Sequence, residues 1–155
     1  MKRIAIVALA ASVAFPAFAA PETYVVEGTH TFPSFSYTHL GFSTQQSRFD
    51  KTTGKITIDR AAKTGSLDVS IDAKSVNTGV EVFNGHLKGE DYFNVEKFPV
   101  ITFKSSNFKF DVDKPANING DLTINGVTEP VTLAVPPPPP GSSAPNSTSA
   151  GMRQQ

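Results

Sequence analysis

The chain has 155 residues, with 14 Lys and Arg against 14 Asp and Glu, and it contains neither Cys nor Trp. That length accommodates one domain, and a balanced charge argues against nucleic-acid binding, which ordinarily shows a basic surplus. Without Cys there is no disulfide framework, no thiolate metal site and no Cys nucleophile.

Residues 1–19 read as a cleavable signal peptide. Lys2 and Arg3 form a short positive region, Ile4 to Val13 an apolar stretch too short to span a bilayer, and Ala17-Phe18-Ala19 a small-x-small cleavage pattern. Removing this segment leaves a slightly acidic chain beginning at Ala20, exported and expected in the periplasm. No other segment predicts stable membrane insertion.

Residues 20–135 carry the fold, and their dominant period is two. Tyr24 and Val26 share one face of a strand, and Phe35 and Tyr37 share one in the next. Ile56 and Ile58 follow, then Leu67, Val69, Ile71 and Ala73 with polar residues between them. Further alternating runs are Ile101 with Phe103, Phe108 with Phe110, Leu122 with Ile124, and Val131, Leu133 and Val135. Apolar residues alternating with polar ones predict half-buried antiparallel strands, about seven of them. Asn125-Gly126 predicts a two-residue hairpin turn. Gly120 lies too close to it for a second hairpin and marks a bulge or a close backbone approach. Thr53-Gly54, Lys63-Thr64-Gly65 and Asp113-Lys114-Pro115 predict breaks or bends. Between Val80 and Lys97 the alternation stops; Val80, Phe83 and Leu87 fall at helical spacing and predict a short helix near 79–89, followed by a loop to Pro99. Many strands with one brief helix favour a closed or nearly closed antiparallel barrel.

Residues 136–155 break the pattern. Five consecutive prolines, Pro136 to Pro140, precede a Ser/Gly/Ala-rich segment. Such a run supplies no sheet donors and buries no apolar surface, so a disordered tail is expected, either a natural flexible one or an aberrant end from truncation or a frame change.

No catalytic motif stands out. His30, His39 and His86 have no metal-ligand spacing, Glu90-Asp91 is the only adjacent carboxylate pair and lies in a polar stretch, and no Ser occupies a Gly-x-Ser-x-Gly turn. No catalytic residue, metal or cofactor is assigned. The outstanding feature is Phe, 12 in the chain. Core packing accounts for most of them, while a Phe-lined barrel cavity is the sharper alternative, suited to an aliphatic guest.

Several segments together resemble one family. They are Tyr24-Val25-Val26 leading to Thr29-His30; Phe35-Ser36-Tyr37-Thr38-His39-Leu40-Gly41-Phe42-Ser43; Phe49 followed by Gly54-Lys55-Ile56; and Thr78-Gly79. They continue with His86-Leu87, Asp91 to Pro99, Ile101 to Ser105, Gly120 to Thr128, and Pro130 to Leu133. In this order and spacing they resemble the YceI-like periplasmic polyisoprenoid-binding proteins over nearly all of residues 22–135. The resemblance implies an all-β, lipocalin-like elongated antiparallel barrel with one short helix, whose interior holds an isoprenoid lipid of polyprenyl or quinone type. It brings no catalytic residues. Members continue beyond the strand ending near Val135 with strands that close the barrel, and here the prolines stand in their place. The barrel is therefore expected to be incomplete at its C-terminal end, with exposed edges. Strand addition by a partner chain is one way to fill such a gap, a homodimer included.

Within that frame the expected ligand wall is Phe35, Tyr37, Phe49, Phe103 and Leu122, with His39 and His86 as polar contacts. The alternative is a non-catalytic envelope stress or interaction module with a filled core. A hydrolase or isomerase acting on a lipid inside the barrel is a third reading.

Overall fold

The structure, a computed structural model, describes residues 20–137 and 152–154. The expected signal peptide, 1–19, lies outside the described residues. The strands are β1 Glu22–Val26, β2 Ser34–His39, β3 Ser43–Phe49, β4 Thr52–Asp59, β5 Thr64–Asp72, β6 Val76–Asn77, β7 Val100–Asp111, β8 Lys114–Ile124, β9 Val127–Ala134 and β10 Met152–Gln154. One helix, α1, spans Glu81–Lys88, and a 3₁₀ turn over Ala73–Ser75 links β5 to β6. The short helix and the antiparallel all-β character expected from the sequence are both present.

Seven strands form one antiparallel sheet in the order β10-β1-β4-β5-β7-β8-β9, and β2, β3 and β6 form a second. The barrel is incomplete at its C-terminal end, as expected: among the described residues β9 pairs only with β8, so the large sheet ends there as an open edge. Three residues from the tail segment lie among the described residues. Met152–Gln154 add to the outer edge of β1, Tyr24 opposite Gln154, because an unpaired strand edge offers backbone donors and acceptors. The rest of that tail from residue 138 onward lies outside the described residues.

Among the described residues the strands number ten rather than about seven, because β3, β6 and β10 carry no apolar alternation, while β7 merges two expected runs into one. Ile101 and Phe103 are odd-numbered, Phe108 and Phe110 even-numbered, so the sequence reads as two strands. The structure has one 12-residue strand with a register shift between Lys104 and Asn107. The extra residue of a bulge inverts parity and keeps all four rings and chains on one face. Ser105 stitches the bulge, its hydroxyl donating to the Asn119 carbonyl at 2.6 Å and accepting from the Asn107 N–H at 3.1 Å. Across from it, a Cβ on Gly120 would lie 2.4 Å from the Lys104 carbonyl oxygen and 2.7 Å from the Phe103 ring. Bulge and close backbone approach thus coincide there. Thr53-Gly54, expected as a break, lies inside β4 opposite Ser70 and Val69 of β5.

The apolar face of the large sheet carries two clusters. In one, Ile71 and Ile101 pack with Phe49, Val76, Leu87 and Val95, which come from β3, β6, α1 and the loop after α1. The small sheet and the helix therefore cover one end of the large sheet. In the other, Ile56, Ile58, Phe103, Phe108 and Ile118 come together from strands that are not all neighbours, so the sheet is coiled. Asn84 fixes the helix: its side-chain oxygen accepts from the Thr78 N–H at 2.8 Å and from the Thr78 hydroxyl at 2.9 Å.

Candidate functional site

The site grows out of the alternation in β2. Its odd residues Phe35 and Tyr37 turn toward the large sheet, half-buried, while Ser34, Ser36 and Thr38 face out. β3 pairs with it so that Ser47 lies opposite Phe35, and Phe49 follows two residues later on the same face. Phe93 arrives from the loop after α1, held by its N–H donating to the Leu87 carbonyl at 3.0 Å. Phe83 comes from α1 itself.

These rings form one continuous aromatic surface. Phe35 lies 5.6 Å from Phe49 and 5.8 Å from Phe93, centroid to centroid, and Phe49 lies 5.3 Å from Phe93. Tyr37 extends the surface, 6.2 Å from Phe35 and 5.7 Å from Phe83. The spacings and tilted or edge-on planes are those of favourable aromatic pairs. Phe35, Phe83 and Phe93 pack against the first cluster together with Val69, Leu122 and Ile124, all of them half-buried. The result is an apolar wall that is left partly open.

The residues expected at the ligand divide into three groups. Phe35, Tyr37 and Leu122 are on this wall, Leu122 joining both clusters. Phe49 and Phe103 are core, exposing only 6% and 5% of their surface; Phe49 braces the wall from beneath, and Phe103 belongs to the second cluster under Gly120. His39 and His86 are exposed, the first at the end of β2 and the second on α1.

Phe83, Phe93 and Ser47 also belong to the site, though none was expected at the ligand from the sequence. Phe83 and Phe93 lie outside the alternating strands, so a period of two gives them no face. Ser47 and Thr52 are buried, and their hydroxyls have no hydrogen-bond partner. Ser47 sits between Phe35 and Phe49 on the apolar side of β3, an otherwise polar strand with no alternation to betray it.

The remaining chemistry lies elsewhere. Just after β1, Glu27 accepts hydrogen bonds from the Thr29 hydroxyl at 2.7 Å, from the Thr29 N–H at 3.1 Å and from His30 Nδ1 at 2.6 Å. The Thr29 hydroxyl first, then His30, hold its carboxyl down at about 2. A concavity of about 890 Å³ opens on the opposite, polar face of the large sheet, among Lys55, Asp68, Lys104, Asn119 and Asp121. Among the described residues no group of three His, Asp or Glu is placed to hold a metal ion, and no helix is long and apolar enough to cross a membrane.

The order of strands, the bulged seventh strand and the helix inserted after β6 can be set beside known proteins. The YceI-like domain profile matches residues 24–138. The chain belongs to the YceI-like family. A UPF0312 protein of Pseudomonas aeruginosa is 40% identical over 108 residues, covering 69% of this chain and 56% of its own length. Protein YceI of Escherichia coli O157:H7 is likewise 40% identical, with the same coverage. The crystal structure of the Campylobacter jejuni YCEI protein superposes with a TM-score of 0.54 at 35% identity, covering 67% of this chain and 61% of that one. The chain thus spans 56% of the length of these two curated relatives.

Proposed function

We propose that this YceI-like chain binds an isoprenoid lipid, of polyprenyl or quinone type, along the aromatic wall, and that it does so in the periplasm after export. The observation carrying this reading is the half-open state of Phe35, Tyr37, Phe83, Phe93, Leu122 and Ile124. A filled core would bury them as deeply as Phe49. The surface has few polar tips, which suits an aliphatic chain. Each buried methylene contributes roughly 0.8 kcal/mol, so one five-carbon unit offers about 3–4 kcal/mol before ordering costs. A neutral head-group hydrogen bond adds about 1 kcal/mol. The tail therefore sets affinity, and the length of open wall sets how many units are held.

Mass spectrometry of organic extracts from the purified chain tests this. A near-stoichiometric isoprenoid is expected, reduced severalfold in Tyr37→Ser and Phe83→Ser while circular dichroism shows the fold retained. A lipid-free chain under gentle purification refutes the reading and favours an interaction module working through the open β9 edge.

A further inference from the structure

Two hairpin loops of this chain contain nearly the same pair of positive-φ residues and opposite chemistry, the β8–β9 loop with two residues between its paired strand ends and the β2–β3 loop with three. Between β8 and β9, Asn125 and Gly126 have φ of 51° and 76°. Between β2 and β3, Leu40 and Gly41 have φ of 50° and 77°, and the Phe42 N–H donates to the His39 carbonyl at 3.0 Å. Two central residues at positive φ mark a type I′ turn, for which Asn-Gly is strongly preferred. Leu at the first position carries a steric cost that Asn avoids. The Leu side chain recovers nothing from the protein, being 78% exposed, and its neighbour Phe42 is 91% exposed. Leu40 and Phe42 are therefore strained or solvent-exposed apolar groups with no internal role.

Their surroundings say what they fit. Residues 31–47, which hold the whole hairpin except its last two strand residues, contain no Asp, Glu, Lys or Arg. The tip carries no Asp, Glu, Lys or Arg to desolvate when it leaves water, and its nearest ionisable side chain is His39, exposed at the end of β2. Two side chains fall far short of the roughly 800 Å² per partner that a stable protein interface buries, while their apolar surface contributes a weak, reversible contact with a bilayer interface. The hairpin is also continuous with the aromatic wall, since Tyr37 precedes the tip by three residues and touches Phe83.

We propose that the β2–β3 hairpin tip is a membrane-docking element: Leu40 and Phe42 enter the headgroup–acyl boundary of a lipid bilayer and bring the open wall to the membrane surface. This contact is peripheral and does not span the bilayer. It goes beyond the lipid-binding reading and fails separately from it, because vesicle binding reports the tip and extraction reports the wall.

The β7–β8 turn supplies an internal control. Val112 is also at positive φ, 54°, and 72% exposed, but Asp111, Asp113 and Lys114 surround it with charge. In flotation with phosphatidylethanolamine–phosphatidylglycerol vesicles, the full chain is expected to rise with the lipid. Leu40→Asn and Phe42→Ser are each expected to lower the bound fraction about tenfold in partition constant, and Val112→Asn to leave it unchanged. Leu40→Asn creates the favoured Asn-Gly turn, so its melting temperature should hold or rise while vesicle binding falls. The proposal is overturned if the full chain does not float, if both tip variants float like it, or if Val112→Asn loses as much. Concentration-dependent self-association without vesicles, abolished by Leu40→Asn, also overturns it and makes a second copy the occupant.

Discussion

Phe49 and Phe35 touch each other across one pair of strands, yet they should respond differently to truncation. Phe49 is buried, with rings at 5.6 Å and 5.3 Å on two sides and Ile71, Ala73, Val76, Leu87, Val95 and Ile101 in its cluster. Phe49→Ala removes a large side chain from a site framed by strand, helix and loop, which cannot all relax inward, so about 3–5 kcal/mol is expected. That is a large part of the roughly 5–15 kcal/mol that holds a domain of this size together. At about 4 °C per kcal/mol the melting temperature should fall by roughly 12–20 °C. Phe35 already shows part of its ring to water, and its removal leaves a recess that solvent can enter. Phe35→Ala should cost about 1–2 kcal/mol, or roughly 4–8 °C. Melts of the lipid-stripped chain read both values, and extraction then asks whether Phe35→Ala lowers lipid content in a folded protein. Equal destabilisation by the two substitutions would place Phe35 in the core and remove the open wall from the argument.

Three other outcomes follow from particular contacts. Gly→Ala should act with opposite signs at two positions: Gly120→Ala drives a Cβ into the Lys104 carbonyl and should destabilise by about 1–3 kcal/mol, whereas Gly85, exposed within α1 and open around its Cβ, should gain about 0.5–1 kcal/mol; paired thermal melts check both. Ser47→Ala removes a buried hydroxyl without a partner and should raise stability by about 1 kcal/mol in the lipid-free chain, measured by urea unfolding. Glu27 should titrate near 2 by carboxyl NMR, and Thr29→Ala should move it upward toward 4.5; because the folded value is depressed, its contribution is complete above the unfolded value and is lost as pH falls from about 4.5 through about 2.

What was legible in the sequence followed from local period and turn chemistry. Ile56 and Ile58, Leu67 to Ile71, and Asn125-Gly126 each announce their conformation within a few residues, and the structure places them accordingly. β3 was illegible because Ser43-Thr44-Gln45-Gln46-Ser47 has no apolar alternation; pairing with β2 makes it a strand. The bulge in β7 hid one strand as two, since a single inserted residue looks like a change of face. At the site, parity identified Phe35, Tyr37 and Leu122 as inward-facing but could not separate them from Phe49 and Phe103. Inward is not the same as open, and that distinction depends on which strands close over the face. Phe83 and Phe93 reach the wall through a helix and a loop whose positions are tertiary.

The open edge bears on what can occupy the wall. Val135 N–H donates to the Ala116 carbonyl at 2.8 Å, so odd-numbered residues of the hairpin's second strand point their backbone groups at β8. Even-numbered ones, Thr128, Pro130, Thr132 and Ala134, then present theirs to the open side. Pro130 has no N–H and interrupts this row of donors near its middle. A further strand can add here only by leaving one acceptor unmatched, and each buried unmatched group costs about 1–3 kcal/mol. A lipid tail makes no such demand, because it carries no backbone groups and needs only apolar surface. The same chain thus combines an edge that discourages indiscriminate strand pairing with an interior face that remains apolar and half-open. Strand pairing at this edge and apolar contact on the wall are therefore separate demands, and Pro130 limits only the first.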